Sequence, residues 1–154
     1  MTGSPPPLRG LHHVTAIARD LERTTAFYRD VLGLQLLEAG VNDDDPGTRH
    51  FWFGAAGGAP GTLVSFLEYP EMVEGRAGAG ATHHFALEAG SREELDAWLE
   101  HLRDRGIPCT EVFQRGAFSS IYLRDPDGHI VELATRGPGF GGEAGPRRLW
   151  SDSG

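Results

Sequence analysis

The sequence predicts an α+β fold in which one β-α-β-β-β unit is written twice, and three observations carry that reading. LHHVTAI at residues 11–17 returns as THHFALE at residues 82–88. Each stretch leads into an amphipathic segment that opens on a capping residue and closes on glycine, and then into three short apolar runs. His13 and His84 are 71 residues apart, and Gly61 and Gly128, which open the last run of each half, are 67 apart. The repeat therefore reaches both ends of the unit, with a small loop indel absorbed near residues 42–46 or 55–60.

Taken in order, residues 11–18 read as a strand, with the β-branched side chains Val14, Thr15 and Ile17 in its middle. Asp20 is placed to cap a helix over LERTTAFYRDVLG, where Leu21, Thr25, Tyr28 and Leu32 fall near helical spacing and Gly33 stops it. LQLLEAG, RHFWFGA and TLVSFLEY then read as strands, with the turn NDDDPG between the first two. EMVEGRAGAGA, residues 71–81, has the composition of a flexible linker. In the second half THHFALEA is a strand and SREELDAWLEHLRDRG a helix. Ser91 and Glu94 form a capping box, and Gly106 and Pro108 end that helix. CTEVFQR, FSSIYLR and HIVELAT complete the unit, with the turn DPDG before the last strand. The expected boundaries are a flexible N-terminus at 1–7, one domain over 8–140 and a flexible C-terminal tail at 141–154. Within that domain, module one is 8–70, the linker 71–81 and module two 82–140.

At 154 residues the chain has the length of one domain, and its net charge of −8 argues against nucleic acid or an anionic membrane as partner. No apolar run approaches the roughly 18 residues that span a bilayer. MTGSPPPLRG lacks the charged-then-apolar layout of a secretion signal, so a cytoplasmic protein is expected. The single cysteine, Cys109, leaves no internal disulfide. Any metal site must then use nitrogen and oxygen donors.

Strand alternation places His13, Thr15 and Ile17 on one face of module one, and His84, Ala86 and Glu88 on the matching face of module two. Glu132 lies inside the apolar run VELA, where a charge is costly to bury without a partner. The equivalent position in module one is Ser65, whereas Glu68 aligns with Thr135 and has the opposite parity. The candidate metal ligands are therefore His13, His84 and Glu132. A single histidine of this kind reads more readily as an ordinary strand residue than as a ligand; its repetition beside an in-strand carboxylate is what points to a metal. Two imidazoles and one carboxylate with open positions suit a non-haem Fe(II) oxygenase, and Zn(II) can use the same donors.

These residues resemble the vicinal oxygen chelate superfamily, the glyoxalase/bleomycin-resistance/extradiol dioxygenase group, over residues 8–140. LHHVTAI, GRAGAGATHHFAL, SIYLRDPDGHIVELAT and GPGF are most similar to glyoxalase-like dioxygenases that open hydroquinone rings. The resemblance implies paired βαβββ modules in a cupped, mixed β-sheet barrel with a metal at its centre. It implies Fe(II) on His13, His84 and Glu132, with Mn(II), Zn(II) or Ni(II) as alternatives. It also implies a surrounding shell of His12, Thr15, His83, Arg115 and Tyr122, and a homodimer, which buries an open sheet face. Dioxygenases of that kind are about twice this length and carry four modules.

The expected activity is cleavage of a hydroquinone- or catechol-like ring with O₂ as co-substrate. Arg115 is placed to stabilise a phenolate or an oxygen anion, or else is a surface strand-end residue. Tyr122 or His83 is placed to move a proton, with a core aromatic as the other reading of Tyr122. By parity His12 and His83 point away from their neighbours and need a bend at the strand end to reach the site. His101 and His129 do not recur between modules and are expected to be solvated, and His50 does not recur either. The alternatives are a glyoxalase-type metal-dependent lyase, isomerase or epimerase, for which Ser65 is a poor fourth ligand, and a metal-free drug-binding protein.

Overall fold

The structure, a computed structural model, describes residues 3–141. The expected tail beyond Gly141 lies outside the described residues, as do the first two residues of the N-terminus. The chain divides into two compact units, one running up to Phe85 and including Asp125–His129, the other formed by Ala86–Arg124 and the residues from Ile130 on.

In the first unit β1 (His13–Ala18), α1 (Leu21–Thr25), β2 (Gln35–Asn42), β3 (Asp45–Gly54) and β4 (Leu63–Glu68) follow in order. They build a four-stranded mixed sheet, β1-β4-β3-β2, in which β1 runs parallel to β4 and the other pairs are antiparallel. Asp20 caps α1 by accepting from Arg23 N at 3.0 Å. The expected helix does not continue as an α-helix, because Ala26–Val31 opens into a π-helical turn. Thr24 bonds back to the Asp20 carbonyl, and the wider turn lets the neighbours Phe27 and Tyr28 both be buried. Tyr28, Phe53 and Phe66 form the aromatic centre of this unit.

The second unit contains α2 (Arg92–Asp104) and the strands β5 (Phe85–Gly90), β6 (Phe113–Gln114), β7 (Ser119–Arg124) and β8 (Ile130–Thr135), ordered β5-β8-β7-β6. The Ser91–Glu94 capping box is present. Gly106 closes the helix at φ +66°, a left-handed value that favours glycine. Leu95, Leu99 and Leu102 of α2 are buried, as are Ile121, Leu123, Val131 and Leu133 of the sheet. CTEVFQR shrinks to a two-residue strand. Upstream of it, Cys109 makes an isolated bridge to Leu123, and Thr110 Oγ1 accepts from Tyr122 N. Among the described residues no helix is long and apolar enough to cross a membrane.

Candidate active site

Both His-His pairs take the same shape. His12 Nδ1 lies 2.9 Å from His13 Nδ1, and His83 Nδ1 lies 2.8 Å from His84 Nδ1. The rings meet edge-on at 83° in each pair. β1 begins at His13 and β5 only at Phe85. The strand parity that would turn His12 and His83 away is thus broken where extended pairing starts. In each pair one Nδ1 carries the proton and the other accepts it. Such a bond at Nδ1 orients an imidazole and directs its Nε2 to any metal.

In the first unit the corner equivalent to Glu132 is a hydroxyl. Ser65 is fully buried; Thr15 Oγ1 lies 2.8 Å and His50 Nε2 2.9 Å from its Oγ. Trp52, cross-strand from Ser65, packs its ring 4.9 Å from that of His13 and 5.0 Å from that of His50. His50 therefore belongs to this polar face. Its signal is the alternation His50–Trp52 on the strand paired to Ser65, which a search for repeated histidines passes over.

In the second unit Tyr122 pairs with Glu132, as Trp52 pairs with Ser65. Glu132 is 3% exposed, and Tyr122 Oη donates to its Oε1 at 2.9 Å. Arg115 Nη2 donates to Tyr122 Oη at 3.4 Å, and the Arg115 guanidinium lies over the rings of Phe113 and Tyr122. Arg115, Tyr122 and Glu132 thus form one chain of contacts. Glu132 also lines a cavity of about 310 Å³ with Ala86, Phe118, Ala134 and Phe140. A larger open groove of about 870 Å³ runs along α2 past Trp98 and His101. His101 thus packs edge-on against Trp98 and is half-buried. The smaller cavity is the better candidate because a buried carboxylate lines it.

Glu68 is engaged elsewhere. Its carboxylate accepts from Leu21 N at 2.8 Å and from Arg49 at 2.6 and 2.8 Å, while Arg49 also binds Glu22. Asp20, Glu22 and Glu68 are, among the described residues, a group whose donor atoms all lie within 4.8 Å. Arg49 and the backbone at the start of α1 already occupy that group, and their hydrogen bonds hold the Glu68 carboxyl below the usual carboxylate range and the Glu22 carboxyl at about 2. Glu68→Ala should lower stability by about 1–3 kcal/mol and leave metal content unchanged. Thermal melts beside metal analysis check this, and loss of metal would point to a four-ligand site. The depressed Glu68 value means its stabilisation is present above the ordinary carboxylate pKa and lost as pH falls through the folded one.

The DPDG turn belongs to the first unit. Asp125 Oδ2 accepts from the buried Tyr28 hydroxyl at 2.9 Å, and its Oδ1 accepts from Asp127 N and His129 N. Burial raises the Asp125 carboxyl above its usual range and raises the Tyr28 phenol well above its own. His129 is half-buried, and its Nε2 meets the Ile17 carbonyl at 2.7 Å.

Residues 10–133 match the family model of the Glyoxalase/Bleomycin resistance protein/Dioxygenase superfamily. The chain belongs to this superfamily. MhqE of Bacillus subtilis (strain 168), provisionally named a ring-cleaving dioxygenase, is 43% identical over 104 residues, 66% of this chain and 33% of MhqE. MhqO of the same strain, with the same provisional name, is 34% identical over 144 residues, 92% of this chain and 43% of MhqO. A crystal structure of a provisionally named dioxygenase from Bacillus subtilis superposes with a TM-score of 0.76 at 34% identity, over 83% of this chain and 41% of that one. The chain thus spans less than half the length of these relatives. Superfamily enzymes bind divalent metal ions. The residues present fit such an ion: Glu132 is a carboxylate buried in an apolar strand, and both histidine pairs hold their rings through Nδ1.

Proposed function

We propose that the protein is a non-haem Fe(II)-dependent dioxygenase that opens the ring of a hydroquinone- or catechol-like substrate with O₂. His13, His84 and Glu132 hold the metal in this reading, and the working form is a homodimer. The observation that carries it is the inequality of two equivalent corners. One holds a buried carboxylate and the other a hydroxyl already bound to Thr15 and His50. A donor set short of one carboxylate leaves positions open for two oxygen ligands. Fe(II), when bound, supplies the sites at which a phenolic oxygen and O₂ are held together.

The chain's own groups prepare that reaction. Tyr122 fixes the Glu132 carboxylate through Oε1 and carries a proton on Oη beside it. Arg115 donates to the same oxygen and places a permanent positive charge where a substrate oxygen anion would be stabilised. His12 and His83 orient the rings of His13 and His84. Thr15 does the same for Ser65. Ala86, Ala134 and Phe118 make an apolar wall that excludes water from the ring.

Tyr122→Phe keeps the fold and should weaken metal affinity about 10–100-fold, which competition with a chelator measures. Unchanged affinity would remove Tyr122 from the metal's surroundings. A glyoxalase-type lyase differs in wanting a fourth protein ligand, and Ser65 is poorly suited to be one. Metal analysis of anaerobically purified protein, with O₂ uptake on adding hydroquinone, tests the proposal. Stoichiometric iron and hydroquinone-dependent uptake support it. Nickel or zinc without uptake favours the lyase, and no metal at all favours a drug-binding protein.

A further inference from the structure

Phe140 is 71% exposed, yet it is not loosely held. Gly139 N donates to the Ala117 carbonyl at 2.6 Å. Thr135 Oγ1 accepts from Ser119 N and donates to the Gly137 carbonyl, both at 2.9 Å. Gly139, at φ +94°, turns the chain there. These bonds tie residues 137–140 to the start of β7, and the Phe140 ring rests 6.3 Å from that of Phe118 at 59°. One ring face is thus packed, while an aromatic side chain fixed in place remains open to solvent. Both rings line the cavity that Glu132 lines, together with the small side chains of Ala86, Ala117 and Ala134 and the paired Glu88 and Arg136. Its volume of about 310 Å³ sits at the lower end of the roughly 300–1,000 Å³ of ligand clefts.

We propose that Phe118 and Phe140 clamp the substrate ring, and that Phe140 sets the specificity of the cavity for a single aromatic ring over two joined rings. The clamp rests on the dioxygenase reading for the identity of its ligand, but not for its geometry. An edge-on or tilted ring is offered to the substrate from Phe118, and Phe140 closes the direction in which a second ring would extend. Small apolar substituents fit against the alanines. A biaryl has to displace Phe140 and lose its contact.

Hydroquinone and phenylhydroquinone, which differ by one ring, test this by calorimetric titration of the full chain under argon. The native protein should bind hydroquinone at least about tenfold more tightly than phenylhydroquinone. Phe140→Ala should weaken hydroquinone binding roughly 2–10-fold, as expected for loss of one aromatic contact, and tighten phenylhydroquinone so that the preference disappears. Phe140→Leu keeps the bulk and should hold most of the preference, which separates closure of the cavity from unfolding of the segment. Equal native binding of both ligands, or an unchanged ratio in Phe140→Ala, overturns the clamp. Failure of the native protein to bind either ligand overturns the clamp and the proposed substrate together. O₂ uptake in parallel keeps the two readings apart. The predicted ratios without uptake leave the clamp standing and sink the dioxygenase; uptake with both ligands alike does the reverse.

Discussion

Glu132→Ala should yield a folded protein that no longer retains its metal. Glu132 is 3% exposed and lies between Val131 and Leu133, both buried. Its carboxylate accepts from the Tyr122 hydroxyl inside an apolar strand, and a bound cation would balance its charge. Loss of an outer-sphere partner of a metal costs about 10–100-fold in affinity, and loss of the ligand itself should exceed that. Alanine leaves Tyr122 Oη within reach of Arg115, and the leucine and valine packing is untouched, so circular dichroism and melting of the metal-free protein should change little. Glu132→Gln, equal in shape and without charge, should lose the metal too. Full occupancy in either variant would place the site elsewhere.

The second large effect is expected at Asp125. Asp125→Ala removes an acceptor that takes the Tyr28 hydroxyl and two backbone N–H groups, and strands that hydroxyl in the core of the first unit. The expected cost is about 3–5 kcal/mol, read from chemical denaturation. Asp125→Asn should cost under about 1 kcal/mol, because its carbonyl keeps both backbone bonds and its amide donates to the Tyr28 oxygen. The two aspartate variants also differ from the native protein in their pH dependence. Burial raises the Asp125 carboxyl above its ordinary 3.8, so the folded protein holds this proton to higher pH than the unfolded chain does. Its contribution is complete below that ordinary value and is lost as pH rises through the folded one. The native protein should therefore gain on Asp125→Asn as the medium is acidified from neutrality. A constant difference would mean Asp125 is ionised throughout, and an asparagine as damaging as alanine would mean the charge itself holds the turn.

The order of elements was legible because each depends on local signals. Asp20, Ser91 with Glu94, Gly33 and Gly106 mark helix ends, and period-two alternation marks the strands. What escaped depends on tertiary contacts. LERTTAFYRDVLG has helical spacing, but burial of Tyr28 against Phe66 and Asp125 favours a π-turn that spacing does not reveal. CTEVFQR is β-prone along its length, yet only Phe113 and Gln114 find a ladder. Parity aligned Ser65 with Glu132, and the registers Trp52–Ser65 and Tyr122–Glu132 agree with that alignment. Parity failed at His12 and His83 because pairing begins after them. His50 stood out in neither module, since its contact is cross-strand and not repeated, and Phe140 entered only as the last residue of GPGF, with nothing to show its packing on Phe118.

The proposed reaction is ring opening by O₂ at a site built from Glu132 and the repeated histidines. Mass spectrometry of hydroquinone turned over by the iron-loaded protein tests it most directly. The expected result is a ring-opened product heavier than the substrate by both atoms of one O₂, formed by the native protein and absent with Glu132→Ala. A product lighter by two hydrogens, the quinone, or no product that depends on Glu132 would contradict it.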